Sequence, residues 1–245
     1  MKENKYDDES FFEKYREFPR SVEGLTAAGE WHELERLLPD FHDARVLDMG
    51  CGFGWHCIYA AEHGAKRVLG TDLSERMLER ARALTASPAV TYERIAIEDL
   101  TFQPAQFDIV LSSLALHYVE SFACVCEKVY SWLAPGGTFI FSVEHPVFTA
   151  YGTQDWFFDE QGSRLHWPVD RYFEQGWRTA TFLGEAVEKH HKTLTTYLQA
   201  LLDAGFVIGA VVEPQPSADM IESVPNMKDE LRRPMMLIVK ATKPN

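Results

Sequence analysis

The sequence predicts an α/β protein: a seven-stranded, mostly parallel sheet with an antiparallel last strand and helices on both faces. Three observations predict it. Short apolar runs without polar alternation recur along the chain, the mark of strands buried on both faces. Amphipathic helical stretches separate these runs, as crossover connections require. Near the end, two apolar runs follow one another with no helical pattern between them, and such a pair is more easily antiparallel.

The first 40 residues read as helix, over 9–18 and, after a break at Pro19, over 25–38, with Pro39-Asp40 as the stop. Residues 45–48 read as the first strand and 55–63 as a helix. Strands at 67–71, 90–95, 107–112 and 137–143 follow, with helices at 74–84 and 122–133 between them. Ser74 suits an N-cap, since its side chain can accept from a free backbone N–H of the first turn. Residues 144–189 form an insertion with few helix or strand signals. It holds Trp156, Phe157, Phe158, Trp167, Tyr172, Phe173 and Trp177. An irregular aromatic stretch of that length suits a segment that lines or lids a site. Residues 190–204 read as helix, and 205–212 and 235–241 as the last two strands. The expected organisation is one domain over 1–245: capping helices to 40, a core over 41–143, the insertion over 144–189, and a closing helix and strands.

Bulk properties narrow the function. The net charge is −13, which repels a polyanion unless a basic stripe exists. The one basic cluster, Arg76 to Arg82, is interleaved with Glu75 and Glu79 as on a solvated helix face. No nucleic-acid partner is therefore expected. No apolar run reaches the roughly 18 residues of a membrane span, and the first residues lack the apolar stretch of a secretory signal. A cytoplasmic protein without membrane insertion is expected. Cys51, Cys57, Cys124 and Cys126 show no CxxC spacing and read as buried free thiols. The adjacent His190-His191 is a poor chelating pair on a helix, and no metal site is expected.

The run Val46-Leu47-Asp48-Met49-Gly50-Cys51-Gly52-Phe53-Gly54 places a glycine-rich turn between a strand and a helix. Glycine lets the backbone turn tightly and approach a ligand where a Cβ would clash. The spacing is GxGxG behind an acidic residue, so the dinucleotide fingerprint GxGxxG does not fit. Asp72 ends the next strand about 20 residues on, where a carboxylate can take both hydroxyls of a ribose.

This run resembles motif I of the class I S-adenosylmethionine-dependent methyltransferases, which share a Rossmann-like fold. Gly70-Thr71-Asp72-Leu73-Ser74 with Met77-Leu78 resembles their second-strand motif. The stretch from Phe107 to Val119 resembles motif IV, and Leu133-Ala134-Pro135-Gly136-Gly137-Thr138 is similar to the turn before strand five. The likeness is nearest to small-molecule enzymes of the ubiquinone and menaquinone biosynthesis type. It implies S-adenosylmethionine as cofactor and the first 40 residues as its cap. It implies Gly50 and Gly52 against the methionine part, with Asp48 ordering the loop or binding the amino group. It implies Asp72 on the ribose, Leu73 and Met77 over the adenine, and Ser112, with Leu114, closing the methionine side. Many relatives carry an aspartate for the adenine amino group where this chain has Ala96. The resemblance then leaves the Ile97 N–H for the ring and Glu98 or Asp99 for the amino group, Glu98 being preferred.

Methyl transfer from a sulfonium needs alignment and, for a protonated acceptor, a base. Three candidates follow strands four and five: His117, His145 and Glu144. Either histidine could take a proton near neutral pH, and Glu144 could instead bind a cationic acceptor. The aromatic insertion suits a cation cage or a pocket for a planar phenol equally. The expected acceptor is a small molecule methylated on oxygen, nitrogen or carbon. The alternatives are a non-catalytic cofactor-binding regulator and a methyltransferase acting on protein or RNA. The sequence sets no oligomeric state, a homodimer being one option.

Overall fold

In the computed structural model, which describes residues 4–245, a seven-stranded sheet runs through the chain. The first three residues of the expected capping segment lie outside the described part. The cap comprises α1 (Glu9–Arg16), α2 (Pro19–Glu23) and α3 (Trp31–Leu37). Pro19 starts α2 rather than only breaking a helix, because its fixed φ and missing N–H suit the first helical position. The expected helix over 25–38 is instead a 3-10 turn at Gly24–Ala27 followed by α3.

Then come β1 (Arg45–Met49), α4 (Trp55–Glu62), β2 (Arg67–Asp72), α5 (Glu75–Leu84), β3 (Val90–Arg94), β4 (Phe107–Ser113), α6 (Phe122–Trp132) and β5 (Leu133–Glu144). The insertion carries α7 (Pro146–Ala150), a small pair β6 (Phe157–Phe158) and β7 (Arg164–His166), and a hairpin of β8 (Gly176–Phe182) and β9 (Glu185–His191). The chain closes with α8 (Leu194–Asp203), β10 (Val207–Val212), α9 (Ala218–Ser223) and β11 (Met236–Thr242). The strand order is β10-β11-β5-β4-β1-β2-β3. The first five strands pair in parallel, and β11 pairs antiparallel with both β5 and β10, as expected for the last strand.

Alternation along each strand sends side chains to two cores. Leu47, Val110, Phe139, Phe141 and Val239 meet Val125 and Val129 of α6 and Tyr197 and Leu201 of α8. Val46, Val68 and Ile109 meet Cys57 and Ala60 of α4 and Leu78 of α5, while α3 puts Trp31 and Leu34 against Leu111, Ile140 and Ile238. Ser74 caps α5 by accepting from the Met77 N–H. Among the described residues no helix is long and apolar enough to cross a membrane.

Three expectations need correction. Residues 190–191 belong to β9, and α8 starts only at Leu194 behind its N-cap Thr193. The buried members of β9 are Val187, Lys189 and His191, so polar residues occupy the inward positions and mask the strand's alternation. The stretch before the last strand does contain a helix, α9, capped by Ser217. Finally, Cys124 is exposed on α6, whereas Cys51, Cys57 and Cys126 are buried.

Candidate active site

The strand order reverses between β1 and β4, and the crevice at such a switch point, beyond the carboxyl ends of the strands, is where open α/β sheets bind ligands. Here the β1–α4 loop turns through three left-handed glycines: Gly50 at φ +73, Gly52 at φ +54 and Gly54 at φ +75. A Cβ on Gly50 would stand 2.3 Å from Ala115 Cβ, and one on Gly54 2.2 Å from the Tyr92 hydroxyl. At Gly52 a Cβ would meet nothing within 4 Å, since that glycine borders a cavity of about 450 Å³. Two of these glycines thus serve packing, and Gly52 keeps space open.

Hydrogen bonds from β2 fix the loop. The N–H groups of Gly50 and Cys51 donate to Thr71 O at 2.8 and 2.9 Å. The Asp72 carboxylate accepts from Gly52 N–H through Oδ2 and from Ser74 N–H through Oδ1, both at 2.9 Å. Burial pushes its pKa up against those bonds.

Beside the loop the cap delivers a charged group that sequence reasoning missed. Arg20 of α2 borders the cavity and donates to Glu30 Oε1 at 3.0 Å and to Ser113 Oγ at 2.9 Å. Three buried polar atoms on residues that line this part of the cavity have no partner among the described residues: Ser21 Oγ, Glu30 Oε2 and Trp55 Nε1. Leaving buried polar atoms unpaired is costly, and together they match a zwitterion, with acceptors for an ammonium and donors for a carboxylate. The residues therefore fit the amino-acid end of S-adenosylmethionine.

Asp72, Leu73, Met77, Ile97 and Glu98 border the cavity with Gly50 and Gly52, and so does Ala96. Two expected residues do not. Asp48 sits behind the loop, where the Cys57 thiol donates to its Oδ2 at 3.3 Å and burial lifts its pKa to about 7. Ser112 uses its hydroxyl on Met49 O at 2.7 Å, and the wall is formed instead by Ser113 and Leu114, the latter left-handed at φ +52.

Comparison with known proteins decides the family. Residues 47–141 match the methyltransferase-domain family model. A solved Listeria monocytogenes protein, assigned as an S-adenosylmethionine-dependent methyltransferase, is 62% identical over 91% of this chain and 100% of its own, with a TM-score of 0.86. An S-adenosylmethionine-dependent methyltransferase from Mesorhizobium loti is 46% identical over 90% of this chain and 100% of its own, with a TM-score of 0.83. An uncharacterised Haemophilus influenzae protein is 33% identical over 97% of this chain and 96% of its own. The chain belongs to the S-adenosylmethionine-dependent methyltransferases.

The methyltransferase's cavity continues past the loop to the end of β5. His117 is buried there, and its Nδ1 accepts from the Glu144 N–H at 3.4 Å, which leaves the ring proton on Nε2. Desolvation lowers its pKa to about 4, so the imidazole is neutral at physiological pH and acts as a donor. Glu144 is locked: Lys189 Nζ of β9 donates to Oε1 at 2.6 Å and Gln154 Nε2 to Oε2 at 2.7 Å. The Lys189 ammonium and the hydrogen bonds from Lys189 and Gln154 hold its carboxyl below the usual carboxylate range despite burial. His145 does not reach this cavity. It caps α7 by accepting from Val147 N–H at 3.0 Å, and its Nε2 lies 2.8 Å from Glu213 Oε1. His191 is likewise committed, with Nδ1 2.7 Å from Thr149 Oγ1 and Nε2 2.9 Å from Tyr172 O.

The methyltransferase's hairpin supplies further wall residues that an irregular insertion could not have placed: Trp177, Phe182, Val187, Glu188 and Lys189. From the opposite side come Tyr6, Tyr15 and Phe18 of the cap. Of the seven aromatics expected to line or lid the site, Trp177 alone borders this cavity among the described residues, while Trp156 and Trp167 pack around Phe148 and Arg233; the signal for Arg20 was its position in the capping segment.

Proposed function

We propose that this enzyme methylates a small-molecule acceptor held in the same cavity as S-adenosylmethionine. One observation carries the reading: the chain's own cap and hairpin roof the cavity, whose volume of about 450 Å³ is that of a small-ligand site. The net charge of −13 further disfavours a nucleic-acid acceptor. We read the chain as one methyltransferase domain, and its four free cysteines fit a cytoplasmic setting.

When bound, the cofactor supplies an electrophilic methyl group on a sulfonium. In our reading Arg20 and the Trp55 N–H hold its carboxylate, while Glu30 faces its ammonium and Asp48 orders the glycine loop from behind. Gly52 leaves room for the chain of atoms between, and Asp72 takes the ribose hydroxyls with its remaining lone pairs. Leu73, Met77 and Ile97 cover the adenine, with Glu98 toward its amino group. At the far end His117 donates through Nε2, and the Glu144–Lys189 pair supplies a fixed dipole that orients the acceptor. Neither His117 nor Glu144 is poised as a base, so alignment carries the rate.

Two measurements test this. Isothermal titration should show S-adenosylmethionine and S-adenosylhomocysteine binding at about micromolar strength; folded protein that binds neither would overturn the reading. With methyl-labelled cofactor and a bacterial metabolite fraction, label should enter small molecules, and label found only in macromolecules would exclude the small-molecule acceptor.

A further inference from the structure

The roof of the cavity is made by two elements far apart in sequence, and a single side chain joins them. Glu185, the first residue of β9, lies 2.8 Å from Lys5 Nζ through Oε2. Its Oε1 accepts from Lys14 Nζ at 2.9 Å and from Ser10 Oγ at 2.8 Å. Its side chain is 17% exposed, and those three donors pull its pKa down to about 2. Just before the hairpin turn, Phe182 packs against Phe11 and Phe18 with ring centroids 6.0 Å apart in both cases. At its other end the hairpin is held by the buried Lys189–Glu144 pair, so the hairpin is the fixed half of the roof.

The segment that Glu185 clasps carries Tyr6 into the cavity wall. The Tyr6 hydroxyl lies 3.0 Å from the Tyr118 hydroxyl, and the Tyr6 ring stands edge-on to Tyr15 and Tyr118. Two residues before Tyr6, Asn4 Nδ2 donates to Leu73 O at 3.2 Å, next to Asp72 at the ribose end, and the Tyr118 ring lies 4.4 Å from that of His117 at the acceptor end. The tyrosine pair therefore spans the junction between the two halves of the cavity. Asp7, beside Tyr6, accepts from Ser74 Oγ at 2.6 Å and from Arg94 Nη2 at 3.2 Å, which ties the same segment to the start of α5.

We propose that Glu185 is a positioning residue: its clasp on Lys5, Ser10 and Lys14 closes the N-terminal segment over the cofactor and seats Tyr6 against Tyr118, and release of the clasp sets how fast the cofactor product leaves. The inference rests on the cavity being the cofactor site. The clasp is a partly exposed ion cluster, so salt screens it, whereas the aromatic contacts behind it are insensitive to salt.

The test follows S-adenosylhomocysteine leaving the purified full-length protein by stopped-flow fluorescence, in 0.05 and 0.5 M NaCl (salt levels chosen on either side of physiological screening). Glu185→Ala should speed dissociation about tenfold at low salt, the scale of losing several partly exposed ion pairs together. High salt should speed the wild type toward the variant's rate and leave Glu185→Ala nearly unchanged. Glu185→Gln, which keeps the shape and loses the charge, should fall between the two. Thermal midpoints should differ little, which separates positioning from a folding defect. Equal dissociation rates for wild type and Glu185→Ala, or the same salt response in both, would overturn the clasp. If the wild type does not bind S-adenosylhomocysteine at all, the cofactor-site reading fails instead.

Discussion

Replacing Asp72 tests the cofactor geometry most sharply, because its carboxylate serves two masters. Each oxygen already accepts one backbone N–H, from Gly52 and from Ser74, and the ribose would use the lone pairs that remain. In Asp72→Ala the two bonds to a charged acceptor are lost, each worth about 1.5–3 kcal/mol when buried. Both donors lie beside the cavity and can turn to water, so a stability loss of about 2 kcal/mol in all is expected. Cofactor binding should fall by about 1–3 kcal/mol more, roughly 5- to 150-fold in Kd, partly because Gly52 loses its anchor. Asp72→Asn is not a milder change: each carboxylate oxygen already accepts a backbone N–H, so the amide nitrogen meets a donor whichever position it takes. Titration calorimetry with S-adenosylhomocysteine, paired with thermal unfolding to establish that the variant is folded, reads both effects. A folded Asp72→Ala protein that binds within twofold of wild type would refute the ribose assignment.

Gly52→Val should abolish cofactor binding while costing only about 1–2 kcal/mol of stability, the price of a left-handed backbone at a residue with a Cβ, since nothing of the protein lies within 4 Å of that Cβ; calorimetry and urea unfolding read the two separately. Asp48 has its pKa raised to about 7 by burial, so the folded protein holds a proton there that the unfolded chain has lost. Stability without cofactor should therefore fall as pH rises from the usual carboxylate range to about 7. Asp48→Asn should flatten that trend in thermal unfolding. Lys189→Met alone should cost about 3–5 kcal/mol by stranding the buried Glu144, and Lys189→Met with Glu144→Leu should cost less; equal losses in denaturant unfolding would mean that the pair is not the buried unit described.

What the sequence determined by itself lies in short-range pattern. Five parallel strands, the glycine turn and Asp72 were readable because each rests on neighbours within one strand–turn–helix unit, where backbone geometry dictates residue type. Ser74 as a cap was readable for the same reason. Only the tertiary structure decided which polar side chains share the cavity. Arg20 reaches Ser113 across 93 positions and Lys189 reaches Glu144 across 45, and no local spacing encodes such pairs. His117 and His145 look alike in sequence, each just after a strand, yet one faces the cavity and the other caps α7. The β8–β9 hairpin escaped notice because its inward positions include Lys189 and His191, residues that read as solvated until their buried partners are known. A buried charge is tolerated only where a partner waits for it, and the folded chain alone supplies that partner.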